Sequence, residues 1–171
     1  APNLPPIFPS VYRTILGGLR DEPGTVVLTV GRKRDPQELG PQPANVHVER
    51  YIPQSLLLPH VDVVVTHGGH NTILAALNLG LPLVFTPFFA DQFPNAKRCV
   101  ELGVGQILGK DELSPENVQR AVREVLRDKR YRENAKRIQA EIEELPGLGQ
   151  GVKLLEALVL EHQGNKPYVL S

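Results

Sequence analysis

The sequence has little cysteine and no long apolar run, and each absence excludes a class of protein. Cys99 is the single cysteine in 171 residues, which excludes a disulfide framework and a metal cluster built from cysteines alone. No apolar stretch approaches the roughly 20 residues that a helix needs to cross a bilayer. The first residues, Ala1–Ser10, lack the charged start and apolar stretch of a signal peptide. We therefore expect a soluble, cytoplasmic protein that has no membrane partner.

The sequence also lacks an excess of charge of either sign. Lys and Arg total 19 and Asp and Glu total 19, so the formal net charge is zero. A protein that holds nucleic acid through bulk charge carries a strong positive excess, and no nucleic-acid partner is expected here. Apolar residues make up 41% of the chain, which suits a globular protein with a buried core, and the length suits about one domain.

Short β-branched runs alternate with helical patterns over most of the chain. The predicted strands are Val26–Val30, Val46–Val48, Val61–Thr66, Leu83–Thr86 and Gln106–Leu108, and the helices among them are Asn71–Leu79 and Gln92–Leu102. Strands and helices that alternate at this spacing predict right-handed crossovers and a parallel sheet. The predicted fold class is therefore α/β, with a Rossmann-like, doubly wound parallel sheet of five or six strands.

Helical patterns also occupy both ends of the chain. Apolar residues recur at helical spacing from Tyr12 to Leu19, and Ser114 followed by Pro115 is typical of a helix start. The last helix carries an apolar stripe, which would face a partner if the chain were a binding or assembly module: Val152, Leu155, Leu158 and Val159. The predicted organisation is an extended segment at 1–10, one domain at 11–162 and a polar tail at 163–171.

Ligands of open α/β sheets bind beyond the carboxyl ends of the strands, where the segment Thr66–Thr72 lies. Gly68 and Gly69 remove the Cβ atoms that would keep a phosphate away from the backbone. The helix start that follows offers unpaired N–H groups and a positive dipole end. The same segment adds three side-chain donors: His67, Asn71 and Thr72. The pattern predicts a diphosphate site without a lysine; a tight turn with a structurally bonded histidine is the alternative.

Two further segments follow strand ends. Asp91 and Gln92 offer acceptors and a donor that suit neighbouring sugar hydroxyls, although Asp91 alone is also typical of a helix N-cap. Tyr51 precedes Ile52, Pro53 and Gln54; its ring can stack on a nucleobase, and Gln54 can bond a base or ribose. Together the three segments suit a base, a diphosphate and a sugar, which are the parts of a nucleotide sugar.

The stretch from Tyr51 to Gly105 resembles the donor-binding signature of inverting glycosyltransferases related to plant UDP-glucosyltransferases and bacterial macrolide and antibiotic glycosyltransferases. In order, it contains an aromatic-x-P-Q segment, a histidine before a strand, THGG-x-N-T, G-x-P and DQ-x-x-N-A. The resemblance implies the C-terminal, nucleotide-sugar-binding lobe of the two-lobed GT-B fold. The acceptor site and the general-base histidine would belong to an N-terminal lobe, in cis or in trans, so this lobe alone would be inactive.

The resemblance also implies a role for each signature residue. Tyr51 would stack on the base, with Ile52 and Gln54 close to the base and ribose. His67, Gly68, Gly69, Asn71 and Thr72 would hold the diphosphate, and Asp91 and Gln92 would contact the transferred sugar. His67 and Thr72 would stabilise the leaving group. No catalytic residue, cofactor or metal is expected in this lobe, and the substrate would be a UDP-sugar or a dTDP-sugar.

Ala75 departs from the pattern of many relatives. They carry a glutamate eight residues after the signature histidine, where it holds both ribose hydroxyls, and this chain has alanine there. The change favours a donor without the 2′-hydroxyl, hence dTDP over UDP. The predicted reaction is inverting transfer of a hexose to a hydroxyl of a small lipophilic acceptor. A non-enzymatic nucleotide-sugar-binding module, one half of a split transferase and a sugar-nucleotide epimerase are the alternatives.

Other polar groups have a simpler interpretation. His67 and His70 are three residues apart, but no matching carboxylate or cysteine ligands accompany them, so no metal site is predicted. Arg32, Lys33 and Arg34 follow a strand end, where a solvated loop is favoured over a phosphate contact. Cys99 lies on the apolar side of a predicted helix, which favours a small core residue over a nucleophile.

Overall fold

In the computed structural model, which describes residues 7–163, parallel strands alternate with helices. The strands are β1 (Val26–Thr29), β2 (Val46–Glu49), β3 (Val64–Thr66), β4 (Leu83–Phe85) and β5 (Gly105–Ile107). The α-helices are α1 (Ile7–Leu19), α2 (Gln54–Leu57), α3 (His70–Leu77), α4 (Gln92–Glu101), α5 (Pro115–Arg127), α6 (Lys129–Glu143) and α7 (Leu148–Gln163). The predicted α/β class and the order of the elements are confirmed.

The strands pair in parallel, and their hydrogen bonds divide them into two groups. β1 pairs with β2, so that Thr29 lies opposite Glu49. β4 lies between β3 and β5, with Leu83 opposite both Val64 and Gly105. Within the described residues no ladder joins β1 to β3. The difference from one continuous sheet has a physical reason: an apolar run marks a segment that can pair, whereas tertiary contacts select its partner.

One hydrophobic core serves both groups of strands. Val11, Ile15 and Leu19 of α1 form a buried cluster with the apolar side of α5. Val26 of β1 and Val65 of β3 pack against this cluster. The two helices therefore contact the strands of both groups, although the groups share no backbone hydrogen bonds in the part of the chain described.

Strand β4 is buried on both faces, as parallel strands usually are. Leu83, Val84 and Phe85 each have 0% of their surface exposed. Val84 belongs to the cluster with α1 and α5. Because side chains alternate along a strand, Leu83 and Phe85 lie on the opposite face. The strand thus fixes the sheet edge at which β3 and β4 end, and the candidate site lies at that edge.

Helix α5 begins as the sequence predicts. The Ser114 side chain caps it by accepting a hydrogen bond of 3.2 Å from the Asn117 backbone N–H, and Pro115 occupies the first helical position. Its predicted apolar stripe is buried: Val118, Ala121, Val122 and Val125.

The starts of two elements differ from the sequence prediction by more than one residue. The extended segment predicted for 1–10 is wrong from Ile7 onward, where α1 begins; Pro9 fits because the first amides of a helix have no intrahelical acceptor. The rest of that segment lies outside the described residues. The strand predicted from Val61 begins only at Val64, whose amide donates to the Pro82 carbonyl, whereas the Val61 amide donates back to Leu58 of the preceding 3-10 helix.

The chain divides into two compact units between Gln139 and Ala140. In the second unit the predicted apolar stripe of α7 is more than half exposed at each of its four residues: Val152, Leu155, Leu158 and Val159. Helix α7 ends at Gln163, the first residue of the predicted polar tail, and the remainder of that tail lies outside the described residues. No helix among residues 7–163 has the length and apolar character to cross a membrane.

Candidate functional site

The chain reverses between β3 and α3 in three residues, and Gly68 makes this reversal feasible. Its φ of +94° lies in a region where a side chain is strained. A Cβ on Gly68 would also lie 3.0 Å from the backbone oxygen of Gln92. The Gly68 N–H donates a hydrogen bond of 3.3 Å to the Thr66 hydroxyl. Both the backbone conformation and the available space therefore require glycine at this position.

The start of α3 leaves backbone amides for a ligand. Gly69 is the N-cap and has no side chain to accept from the first turn. Its carbonyl accepts from the Thr72 and Ile73 amides. The His70 and Asn71 amides, as the first of the helix, have no intrahelical acceptor. Two such N–H groups at the positive end of a helix dipole are suited to an anion.

His67 lies beside this helix start. Its side chain is exposed overall, yet Nε2 is only 2.7 Å from where a Cβ on Gly69 would be. The partial loss of water lowers the pKa of His67 below its ordinary value of 6.5, and the Asp91 carboxylate opposes this by raising it. The lowered pKa favours a neutral imidazole near pH 7, which can donate one hydrogen bond and carries no charge.

A hydrogen bond joins the Tyr51–Gln54 segment to α3. The Gln54 Nε2 donates to Thr72 Oγ1 at 3.0 Å. Because the Thr72 oxygen accepts this bond, its hydroxyl hydrogen is available to donate to a ligand. The segment predicted to meet the base therefore lies directly beside the residues predicted to meet the diphosphate.

Asn95 joins the Asp91–Gln92 segment to the same turn. Its Nδ2 donates to the Gly68 carbonyl at 3.2 Å and to Asp91 Oδ2 at 3.1 Å. The three segments that the sequence predicts to act together are thus linked by side-chain hydrogen bonds. Asn95 is the asparagine of the DQ-x-x-N-A pattern, but the pattern alone does not indicate this linking role.

Asp91 and Gln92 are placed differently from each other. Asp91 is exposed and is the N-cap residue of α4, as the alternative prediction has it, and its backbone carbonyl accepts from the Asn95 amide at 3.1 Å. Its side chain makes no capping hydrogen bond, and the carboxylate accepts from the Asn95 side chain instead. Gln92 is 95% buried, and its Oε1 accepts from the Phe88 amide at 2.9 Å and the Phe89 amide at 3.2 Å. Of the Gln92 side chain, only the amide nitrogen remains to contact a ligand.

The guanidinium of Arg32 lies on the Tyr51 ring. The Arg32 Cζ lies 3.8 Å from the ring centroid, a cation–π contact, and 49% of the tyrosine surface is exposed. Ile52 beside it is half-buried, and Asn71 on α3 is exposed. The guanidinium thus lies on the ring that the sequence predicts to stack on a base. The basic run that begins at Arg32 predicts a solvated loop, and nothing in the sequence indicates this contact.

Other candidate groups lie outside this cluster. Cys99 is buried, as predicted, and burial raises the pKa of its thiol to about 11, which keeps it protonated. Within residues 7–163 no group of three or more His, Cys, Asp or Glu side chains is placed to hold a metal. A cavity of about 510 Å³ lies beside β5 and is lined by Gln106, Tyr131 and Asn134 among others, none of them a predicted site residue.

Comparison with known proteins gives consistent matches. The family described as "Erythromycin biosynthesis protein CIII-like, C-terminal domain" matches residues 13–158. The curated 4'-demethylrebeccamycin synthase of Lentzea aerocolonigenes is 40% identical over 147 residues, which are 86% of this chain and 35% of that protein. The crystal structure of CalG4, the calicheamicin glycosyltransferase, is 35% identical with a TM-score of 0.81, over 87% of this chain and 39% of that one.

A third relative was crystallised with a nucleotide. The glycosyltransferase VinC in complex with dTDP is 26% identical with a TM-score of 0.80, over 87% of this chain and 37% of that one. The chain therefore spans little more than a third of the length of the relatives that it matches.

Proposed function

The chain belongs to the family of C-terminal domains like that of erythromycin biosynthesis protein CIII, a glycosyltransferase family of the GT-B fold, and on this premise we propose that it is the donor-binding lobe of such an enzyme. The observation that carries the proposal is the pair of hydrogen bonds, Gln54 to Thr72 and Asn95 to Gly68, that gathers three separate segments around the start of α3. The dTDP bound to VinC supports a nucleotide as the ligand.

Each part of the donor has a place in this proposal. The base stacks on Tyr51, beside Ile52 and Gln54. The diphosphate accepts from the first amides of α3, from Asn71, from the Thr72 hydroxyl and from His67. Asp91 accepts from a sugar hydroxyl, and the amide nitrogen of Gln92 donates to one. No resident metal is needed in this proposal, because amides, hydroxyl and imidazole together stabilise the diphosphate.

We propose inverting transfer for the whole enzyme. A base from an N-terminal lobe, in cis or in trans, removes the proton of an acceptor hydroxyl. The acceptor oxygen forms a bond to the anomeric carbon while the bond to the diphosphate oxygen breaks, and the diphosphate leaves with the electron pair. His67, Thr72 and the α3 amides stabilise the charge that develops on it. The acceptor of this proposal is a small lipophilic natural product.

A ligand screen of the chain tests the proposed function. A ligand that binds only the folded protein raises its melting temperature. We expect dTDP, UDP and their sugars to do so, with no sugar transfer until an N-terminal lobe is added. Failure of every nucleotide to raise the melting temperature of the folded chain would contradict the proposal. Binding without restored transfer would favour a non-enzymatic binding module.

Ala75 is proposed to set the preference for the nucleoside. It lies on α3 one turn beyond Asn71 and is half-buried, so a longer side chain there reaches the same side of the helix. The Ala75→Glu variant should bind UDP more tightly relative to dTDP, by about tenfold, because the new carboxylate accepts from both ribose hydroxyls. Calorimetric titration of both nucleotides measures the ratio. Ala75→Gln, which is uncharged, is the matched control, and an unchanged ratio in Ala75→Glu would overturn this assignment.

His67 should make donor binding depend on pH. A dTDP-sugar keeps both negative charges throughout this range, and they favour the imidazolium. Partial burial lowers the pKa of His67 in the protein without ligand, so the neutral form prevails at pH 7.5. The affinity for the dTDP-sugar should therefore rise about three- to tenfold as the pH falls below 6.5. Calorimetry with dTDP-glucose between pH 8 and pH 5.5 measures this. His67→Gln should lose the dependence; an identical pH profile in the variant would exclude His67 as its source.

A further inference from the structure

Arg32 occupies a position that the backbone fixes beside Tyr51. Thr29 at the end of β1 lies opposite Glu49 at the end of β2, so the residues that follow the two strands are neighbours. A turn then fixes the backbone around Arg32, because the Arg34 amide donates to the Gly31 carbonyl at 3.1 Å and Gly31 has a φ of +94°. The Arg32 side chain is exposed, and its guanidinium rests on the Tyr51 ring.

The groups proposed to bind the diphosphate carry no permanent positive charge, although the ligand is negatively charged. Its diphosphate donors are backbone amides, Asn71, Thr72 and a histidine whose lowered pKa favours the neutral form. Asp91 adds a negative charge close to His67. A nucleoside diphosphosugar carries two negative charges. The cation that the structure places on the nucleoside-binding segment is the guanidinium of Arg32.

We propose that Arg32 is a donor-binding residue with two positions. In the empty site its guanidinium covers the Tyr51 ring; when a donor binds, the base takes that ring face and the guanidinium moves to the diphosphate. The inference rests on the proposed function and extends it, because the family signature does not include this residue.

The relative strength of the two contacts favours the exchange. A cation–π contact on a half-exposed ring is weak, and a stacked nucleobase replaces it with a larger planar contact. The released guanidinium can then form paired, charge-assisted hydrogen bonds to phosphate oxygens, which are among the strong hydrogen bonds of proteins. If the guanidinium instead stayed beneath the ring, no permanently charged cation would contact the diphosphate, because His67 is positive only in its protonated form.

The two positions of Arg32 predict that removal of its side chain changes the affinities for two ligands in opposite directions. Without Arg32 the ring is uncovered, so uncharged thymidine should bind about two- to fivefold more tightly. The diphosphate loses its cation, so dTDP-glucose should bind about tenfold more weakly. Lys33→Ala is the matched control: it removes the same charge from the next exposed residue, and both affinities should stay within about twofold of wild type.

NMR titration of wild type, Arg32→Ala and Lys33→Ala with thymidine and dTDP-glucose tests this inference, after circular dichroism has verified that each variant is folded. The expected result is a ratio of the two affinities that changes at least tenfold in Arg32→Ala alone. If Arg32→Ala weakens both ligands equally, or leaves their ratio unchanged, the inference is overturned while the proposed function stands. If wild type binds neither ligand, the proposed function fails, and this inference fails with it.

Discussion

The Gly68→Ala variant should lose nucleotide binding, with an affinity for dTDP at least about thirtyfold below wild type. The added Cβ would lie 3.0 Å from the Gln92 backbone oxygen, so the turn or α4 must shift. Either shift lengthens the Asn95 bond to the Gly68 carbonyl, which is already 3.2 Å, and moves the first amides of α3. A displacement of about 1 Å is enough to remove hydrogen bonds that depend on donor position.

The Gly40→Ala variant is the control that separates the loss of dTDP affinity in Gly68→Ala from an effect of backbone strain alone. Gly40 also has a positive φ, +74°, but a Cβ there would have nothing within 4 Å. Both variants should lose about 1–2 kcal/mol of unfolding free energy, because alanine is strained at positive φ. Only Gly68→Ala should lose affinity for dTDP, as measured by calorimetric titration at a temperature where both proteins are folded. Equal affinities in the two variants would show that the turn does not hold the nucleotide.

The Phe85→Ala variant should lose about 3–5 kcal/mol of unfolding free energy. Phe85 is the last residue of β4 and is fully buried, so removal of its ring leaves a cavity in the core. Domains of this kind are typically stable by about 5–15 kcal/mol, so the loss is a large fraction of the total. Urea unfolding followed by circular dichroism measures the difference.

Phe89→Ala is the matched control for this loss. Phe89 is 45% exposed, so the same chemical change should cost only about 0.5 kcal/mol. A loss in Phe85→Ala no greater than in Phe89→Ala would contradict the burial of β4 and the position of the sheet edge that carries the candidate site.

Much of the fold could be predicted because its signals are local. The β-branched run around Val27, the glycine turn after Thr66 and the Ser114–Pro115 helix start each act within a few residues. The division of the strands into two groups could not be predicted, because pairing depends on contacts between residues far apart in the chain. The start of α1 was missed because four prolines precede or enter it, and proline is tolerated in a first helical turn.

The candidate site shows the same limit. Glycines and polar residues at strand ends predicted which segments would meet, and the Gln54–Thr72 bond joins two of them. The roles of Arg32 and Asn95 arise from side-chain contacts between neighbouring elements, which a linear pattern does not record. The sequence predicts a sugar contact for Gln92, but it does not show that the oxygen of its side-chain amide accepts from the Phe88 and Phe89 backbone amides.

Amide chemical shifts recorded while dTDP is added to the isotopically labelled chain test most directly whether the start of α3 holds the diphosphate. The largest changes should fall on the amides of Gly69, His70 and Asn71, with smaller ones at Tyr51 and Gln54. Changes confined to the cavity beside β5, at Gln106 and Asn134, with the first turn of α3 unaffected, would contradict the assignment of the nucleotide to this site.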